Sequence, residues 1–207
     1  MKKKLLKLSV IVMVLYTITT SFSSWNKYTV KYNVPSVNAI ATVPLEKETL
    51  TTYNFPYVGK SYVGFKEALA FKESQGNYNR INTLGYLGKY QFGKSTLKRF
   101  KIYNTIDFLK DPSLQEDAFL ALCSVNKWIL KRDIKRSVGK KINGIRITES
   151  GILAAAHLAG AGSVKKYLRS NGNINFSDAY GTSIEQYMKK FAGYDTSFVE
   201  ANRKPVF

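Results

Sequence analysis

The stretch Asp111-Pro-Ser-Leu-Gln-Glu-Asp-Ala-Phe-Leu-Ala-Leu-Cys-Ser-Val-Asn-Lys-Trp-Ile129 decides the fold class. Leu114, Ala118, Ala121, Leu122, Val125, Trp128 and Ile129 recur at three- or four-residue steps, which lays one apolar stripe along a helix. Asp111 has the chemistry of an N-cap, and Pro112 suits the first helical position, where its missing N–H costs nothing. The spacing predicts a long helix from 112 to about 133. Upstream, Phe65, Ala68, Leu69 and Lys72 or Glu73 predict a helix over 61–75, stopped by Gly76. A short helix is expected from Ser95 to Phe100. Downstream, Thr148 caps an alanine-rich helix through Leu158, and Ser163 caps another that runs to Arg169 and ends at Asn171-Gly172. Gly160 and Gly162, on either side of Ala161, suit a tight turn between those two helices. Thr182-Ser-Ile-Glu185 reads as a capping box for a last helix through Phe191. The intervening stretches 76–93 and 134–147 mix β-friendly and turn residues and are the places for a small hairpin. The expectation is a mainly α domain with little or no sheet, over about residues 59–200.

Outside that domain the chain changes character. Lys2, Lys3, Lys4 and Lys7 precede a short apolar run from Leu8 to Ile18, and small or polar residues follow to Ser24. This is the pattern of an export signal, and the run is shorter than a comfortable membrane span. Residues 1–24 are therefore read as a signal peptide or N-terminal anchor, with a membrane tether through this segment as the alternative to cleavage. Residues 25–58 show no helical period, contain Pro35, Pro44 and Pro56, and read as an extended linker. Export to the periplasm or cell envelope, or secretion, is the expected location, and it makes nucleic acid an unsuitable partner.

Charge and composition narrow the partners. The net charge is +18, and since the first 24 residues hold four lysines and no acid, +14 remains without them. A basic body attracts polyanions. The chain shows no zinc-finger spacing, RNA-binding signature or Gly-rich phosphate loop. Fourteen Tyr and 12 Phe suit a sugar cleft, where a ring stacks on the sugar face, although biased composition would give the same count. The single cysteine, Cys123, lies in an apolar run and reads as core packing; the single histidine, His157, cannot build a zinc site with it. No metal or other cofactor is expected.

Glu73 is the residue around which chemistry gathers. It lies four residues after Leu69 and eight after Phe65, on their inward face, and at the C-terminal end of its helix. Apolar surroundings and the negative end of the helix dipole both disfavour an ionised carboxylate, which suits a general acid. Periodicity alone leaves a surface glutamate in a poorly phased helix as an equal reading.

The segment Glu73-Ser-Gln-Gly-Asn-Tyr-Asn-Arg-Ile-Asn-Thr-Leu-Gly-Tyr-Leu-Gly-Lys-Tyr-Gln-Phe-Gly93 resembles the active-site stretch of the lysozyme-like lytic transglycosylases. That family has a Glu-Ser pair at a helix end and then a Gly-Leu-Met-Gln motif; Gly88-Lys-Tyr-Gln91 stands at that motif's offset. Ala156-His-Leu-Ala-Gly160 is similar to the family's Ala-Tyr-Asn-Ala-Gly, and Tyr187 or Tyr194 stands for its late tyrosine. The resemblance covers about residues 60–195. It departs at Tyr90, which replaces Met, and at His157 and Leu158, which replace Tyr and a sugar-contacting Asn. A histidine on an alanine-rich helix is more often packed than functional.

The resemblance implies a lysozyme-like fold and cleavage of peptidoglycan between N-acetylmuramic acid and N-acetylglucosamine. Glu73 would be the catalytic acid and base, and Ser74, Tyr90, Gln91, His157, Tyr187 and Tyr194 would contact substrate. One carboxyl suffices for an intramolecular ring closure to a 1,6-anhydro product, whereas a hydrolase commonly needs a second. Asp178, Glu149 and Glu185 are available, but none has a spacing that ties it to Glu73, and Glu185 and Glu149 read as helix-start acids. A hydrolytic lysozyme or chitinase and a catalytically silent wall-binding protein are the other two readings.

Overall fold

A computed structural model of the chain describes residues 58–206. The signal segment and nearly all of the linker read from the sequence lie outside the described residues. Six helices and one hairpin follow in order: α1 (Tyr62–Ser74), α2 (Lys94–Arg99), α3 (Thr105–Lys110), α4 (Pro112–Ser137), β1 (Lys141–Ile142), β2 (Ile145–Arg146), α5 (Glu149–Arg169) and α6 (Ile184–Lys190). Among the described residues the domain is mainly helical, as the periodicity predicts.

The long helix α4 starts where local chemistry demands. The Asp111 side chain accepts from the Leu114 amide at 3.0 Å, and Pro112 sits in the first turn. Its apolar stripe buries Ala118, Phe119, Ala121, Val125 and Leu130, and it runs one turn beyond the expected end, to Ser137. There the buried Asp133 is paired with Arg136 and Arg169, which satisfies its charge. Beside it packs α5, capped by Thr148, whose hydroxyl accepts from the Gly151 amide at 3.1 Å. Gly151 lies against α6: a Cβ there would stand 2.7 Å from the Met188 carbonyl oxygen.

Two expectations need correction, and one helix is added. The alanine-rich region breaks as expected, at Gly160 (φ 74°), a backbone conformation that only glycine adopts without strain, so α5 is two helical stretches joined by a kink; Gly162 is helical, and Ser163 lies within the second stretch rather than capping it. The capping box of α6 belongs to Ser183 and Gln186, one residue later than read, because the Thr182 amide is already taken by Asp178 Oδ1 at 2.7 Å. Glu185, freed from capping, instead accepts from Asn143 and from the Tyr167 hydroxyl. Helix α3 was unexpected: Asn104 caps it, but six residues are too few to show a period. The packed chain also continues past residue 200, since the Asn202 amide donates to the Ser124 carbonyl at 3.2 Å.

The hairpin falls in one of the two expected stretches. Asn143 and Gly144, both with positive φ, make the two-residue turn that pairs Ile142 with Ile145. The other stretch, 76–93, holds isolated bridges, Ile81 with Leu87 and Leu87 with Phe92.

The centre of the core explains how that second stretch is fixed. Tyr90 is fully buried and stacks on Phe119 of α4, with ring centroids 4.1 Å apart and planes 12° apart. Next to it Lys89 is buried too. Its ammonium donates to Glu116 Oε1 at 2.8 Å and Glu67 Oε1 at 2.7 Å. Glu116 also accepts from Lys66, Tyr78 and Tyr90, so one carboxylate joins α1, α4 and the 78–90 loop. Burial pushes the Glu116 carboxyl upward, but the four donors outweigh it and bring it down to about 2 from 4.5. A carboxyl lowered by folding stabilises the fold above its unfolded value and loses that contribution as pH falls through the folded one. Glu116→Gln is therefore expected to lower stability at pH 7 by about 2 kcal/mol, because Lys89 keeps only Glu67 as an anion. Denaturant melts should show the gap to the parent shrinking between pH 4.5 and about 2; a gap independent of pH would rule out an ionic origin.

Candidate functional site

Ser61 starts α1 by accepting from the Gly64 amide, and the helix ends when Gln75 turns left-handed (φ 59°) and its N–H returns to the Phe71 carbonyl. Phe65 and Leu69 are fully buried on the inward face. Glu73, two turns on from Phe65, emerges at the edge of that face, half-buried, in a cleft of about 660 Å³.

Glu73 has one partner that gives it a fixed geometry. The Tyr187 hydroxyl on α6 donates to its Oε1 at 2.6 Å. The Tyr187 ring is buried against Phe191, 5.1 Å between centroids. Burial, and then the negative charge of Glu73, push this phenol far above its ordinary range, so it stays protonated and can only donate to the carboxylate.

The Gly88–Gln91 segment forms the next part of the wall. Gly88 has φ 76°, and a side chain there would run into the Gln115 amide. Its N–H donates to the Arg80 carbonyl at 2.7 Å, and the Gln91 side chain donates to the Gly88 carbonyl at 2.8 Å. This segment is fastened to the end of α1 through Ser74, whose hydroxyl donates to the Lys89 carbonyl at 2.7 Å. The Gln91 side chain and Glu73 consequently line one cleft with a short, covalently and hydrogen-bonded path between them.

His157 also lines the cleft. Its Nε2 lies 2.8 Å from the Tyr90 carbonyl, which can only accept, so Nε2 carries the proton. The ring meets Phe92 and Phe119 edge-on, and Nδ1 is buried with no hydrogen-bond partner among the described residues. This is mostly the packed histidine of the sequence reading, with one side at the cleft.

Of the residues read from the sequence, Glu73, Gln91, His157 and Tyr187 thus come together. Ser74, Tyr90 and Tyr194 do not. Ser74 is buried with its hydroxyl on backbone, and Tyr90 points into the core to Glu116. Tyr194 lies under the Lys60 ammonium, 3.9 Å from its ring centroid, and against Phe65. Ser74 and Tyr90 hold the wall rather than face its opening, and Tyr194 packs away from the cleft.

The cleft adds residues that the motifs do not mark. Tyr86, Phe176 and Tyr180 line it with exposed rings, Lys72 and Arg80 with cations, and Asp178 with a carboxylate. Asp178 uses Oδ1 to accept from the amides of Tyr180 and Thr182, which shapes the loop before α6. Across the cleft, Thr83 and Tyr180 meet through their hydroxyls at 2.9 Å, so the loop after α1 and the loop before α6 touch. Of the other acids weighed as a second carboxylate, Glu149 pairs with Lys127 and Thr196, and Glu185 with Asn143 and Tyr167; neither lines the cleft. The exposed tyrosines belong to irregular loops, where no period marks which way a side chain faces.

Comparison with protein-family models, with curated proteins and with solved structures gives no match.

Proposed function

We propose that this cleft cuts the glycan strands of peptidoglycan as a lysozyme-like lytic transglycosylase, with Glu73 as general acid and base. The observation that carries the reading is the Tyr187 hydroxyl 2.6 Å from Glu73 in a cleft that Gln91 also lines. An isolated surface glutamate has no reason to meet a buried phenol 114 residues away. Exposed aromatic rings beside polar groups suit sugar rings, which present an apolar face and hydroxyl edges. On this reading Glu73 protonates the oxygen of the muramic–glucosamine bond as the C1–O bond breaks. The C6 hydroxyl of the muramic residue then attacks C1 and gives its proton to Glu73. The anhydro ring closes, no water is consumed, and the carboxyl is protonated again for the next cycle.

One observation favours hydrolysis as a second reading: Asp178 lines the same cleft as Glu73, as a second carboxylate would. Half of its carboxylate is engaged by loop amides, so its first task is to shape the loop. Mass spectrometry of peptidoglycan digested by the purified protein separates the two. Anhydro-muropeptides, one water lighter than hydrolysed ends, are expected; reducing ends would establish the hydrolase, and binding without release would leave a silent wall-binding protein.

A further inference from the structure

The far end of α4 and the hairpin carry a second feature, distinct from the cleft. Residues 131–146 contain seven Lys or Arg and one acid, Asp133. That acid is almost fully buried, and two arginines share it. Arg136 Nη2 lies 2.5 Å from its Oδ1, and Arg169 Nε lies 3.0 Å from the same oxygen, arriving from α5. Both arginine side chains remain more than half exposed, at 59% and 58%. One buried charge thus fixes two guanidinium groups side by side at the surface with N–H donors to spare, because each has five. A single buried carboxylate needs only one arginine for neutrality, so the pair leaves a fixed excess of positive charge.

The surroundings add to that charge. Lys131 and Lys135, and Arg132 and Arg136, stand four residues apart on the exposed side of α4, about 6 Å along its axis. Lys140 and Lys141 continue from the helix end, exposed. Among the described residues none of Lys135, Lys140 and Lys141 pairs with an acid, whereas Lys66, Lys89 and Lys127 do. The only large apolar side chain exposed along 131–146 is Val138. A surface that inserts into a bilayer combines cations with several exposed apolar residues, and this one does not. A dense cluster of exposed cations that includes forked donors suits a chain of phosphates.

We propose that the α4 end and the β1–β2 hairpin form a binding site for a phosphodiester-bearing anionic polymer, anchored by the Arg136–Arg169 pair. It holds the protein on its surroundings independently of the cleft. The full-length chain and poly(glycerol phosphate) provide the test, by titration at about 0.15 M salt, where weak long-range attraction is screened. Lys135→Gln/Lys140→Gln/Lys141→Gln should weaken binding at least about tenfold, since phosphate contacts by cations dominate such affinities. Lys94→Gln/Lys98→Gln/Lys110→Gln, which removes equal charge from α2 and α3, should weaken it less than about twofold. Arg136→Lys/Arg169→Lys keeps every charge but loses the fork, and should cost at least about fivefold; should that variant fail to fold, the lysine variants decide. Equal losses from the two lysine sets would overturn the proposal in favour of net charge alone. Tighter binding to phosphatidylglycerol-containing vesicles than to the polymer would overturn it in favour of a lipid surface, and absence of polymer binding would end it.

Discussion

Glu73→Gln is expected to lower release of soluble muropeptides from purified peptidoglycan by about a thousandfold, the usual scale for losing a general acid. The amide cannot supply the proton that the leaving oxygen requires. Its carbonyl can still accept from the Tyr187 hydroxyl, now at 2.6 Å from Oε1, so the cleft wall should keep its shape. Thermal melting within a degree or two of the parent would show that chemistry, not folding, was lost. A variant with full activity would remove Glu73 from the mechanism and with it the proposed function.

Tyr187→Phe should be the second largest effect on activity. The ring is buried against Phe191, so the phenyl group fills the same space. Only the donor to Glu73 disappears, and a hydrogen bond to a charged group is worth about 1.5–3 kcal/mol. That converts to a loss of about tenfold to a hundredfold, carried by kcat rather than KM, because the hydroxyl touches the acid. Tyr187 acts through Glu73, as a positioning residue. A fall in substrate affinity with unchanged kcat would instead make it a sugar contact. Tyr194→Phe serves as a comparison: Tyr194 lies outside the cleft and the phenyl ring keeps its packing on Phe65, so activity should change less than about twofold.

The sequence was most legible where chemistry is local. Asp111 and Thr148 cap their helices because a short oxygen-bearing side chain reaches an amide three residues on, whatever the rest of the chain does. The inward phase of Phe65 and Leu69 carried Glu73 to the cleft by helical geometry alone. Legibility failed where direction depends on long-range packing. Ser74 and Tyr90 flank Glu73 and Gln91 in the motifs, yet both turn away from the cleft: Ser74, the last residue of α1, bonds the Lys89 carbonyl, and the loop residue Tyr90 is oriented by the Phe119 ring it meets. Phe119 and Glu116, which receive Tyr90, lie on α4, more than twenty residues away. Asp178 and Tyr180 reach the cleft only because α6 brings their loop back to α1. The sequence places the capping box one residue early because Thr182 and Ser183 offer the same group, and only Asp178 decides between them.

The hydrogen bond from Ser74 to the Lys89 carbonyl has a consequence for how this cleft can diversify. It ties both ends of an excursion of fourteen intervening residues, so the acid keeps its seat whatever path the chain takes between. The outermost part, around Asn82 and Tyr86, closes on itself through the Asn82 side chain, which accepts from the amides of Leu84 and Tyr86. Insertions or deletions there would reshape the rim of the cleft and leave the stem intact. Selection for a new ligand could thus tinker with the rim while inheriting the acid unchanged.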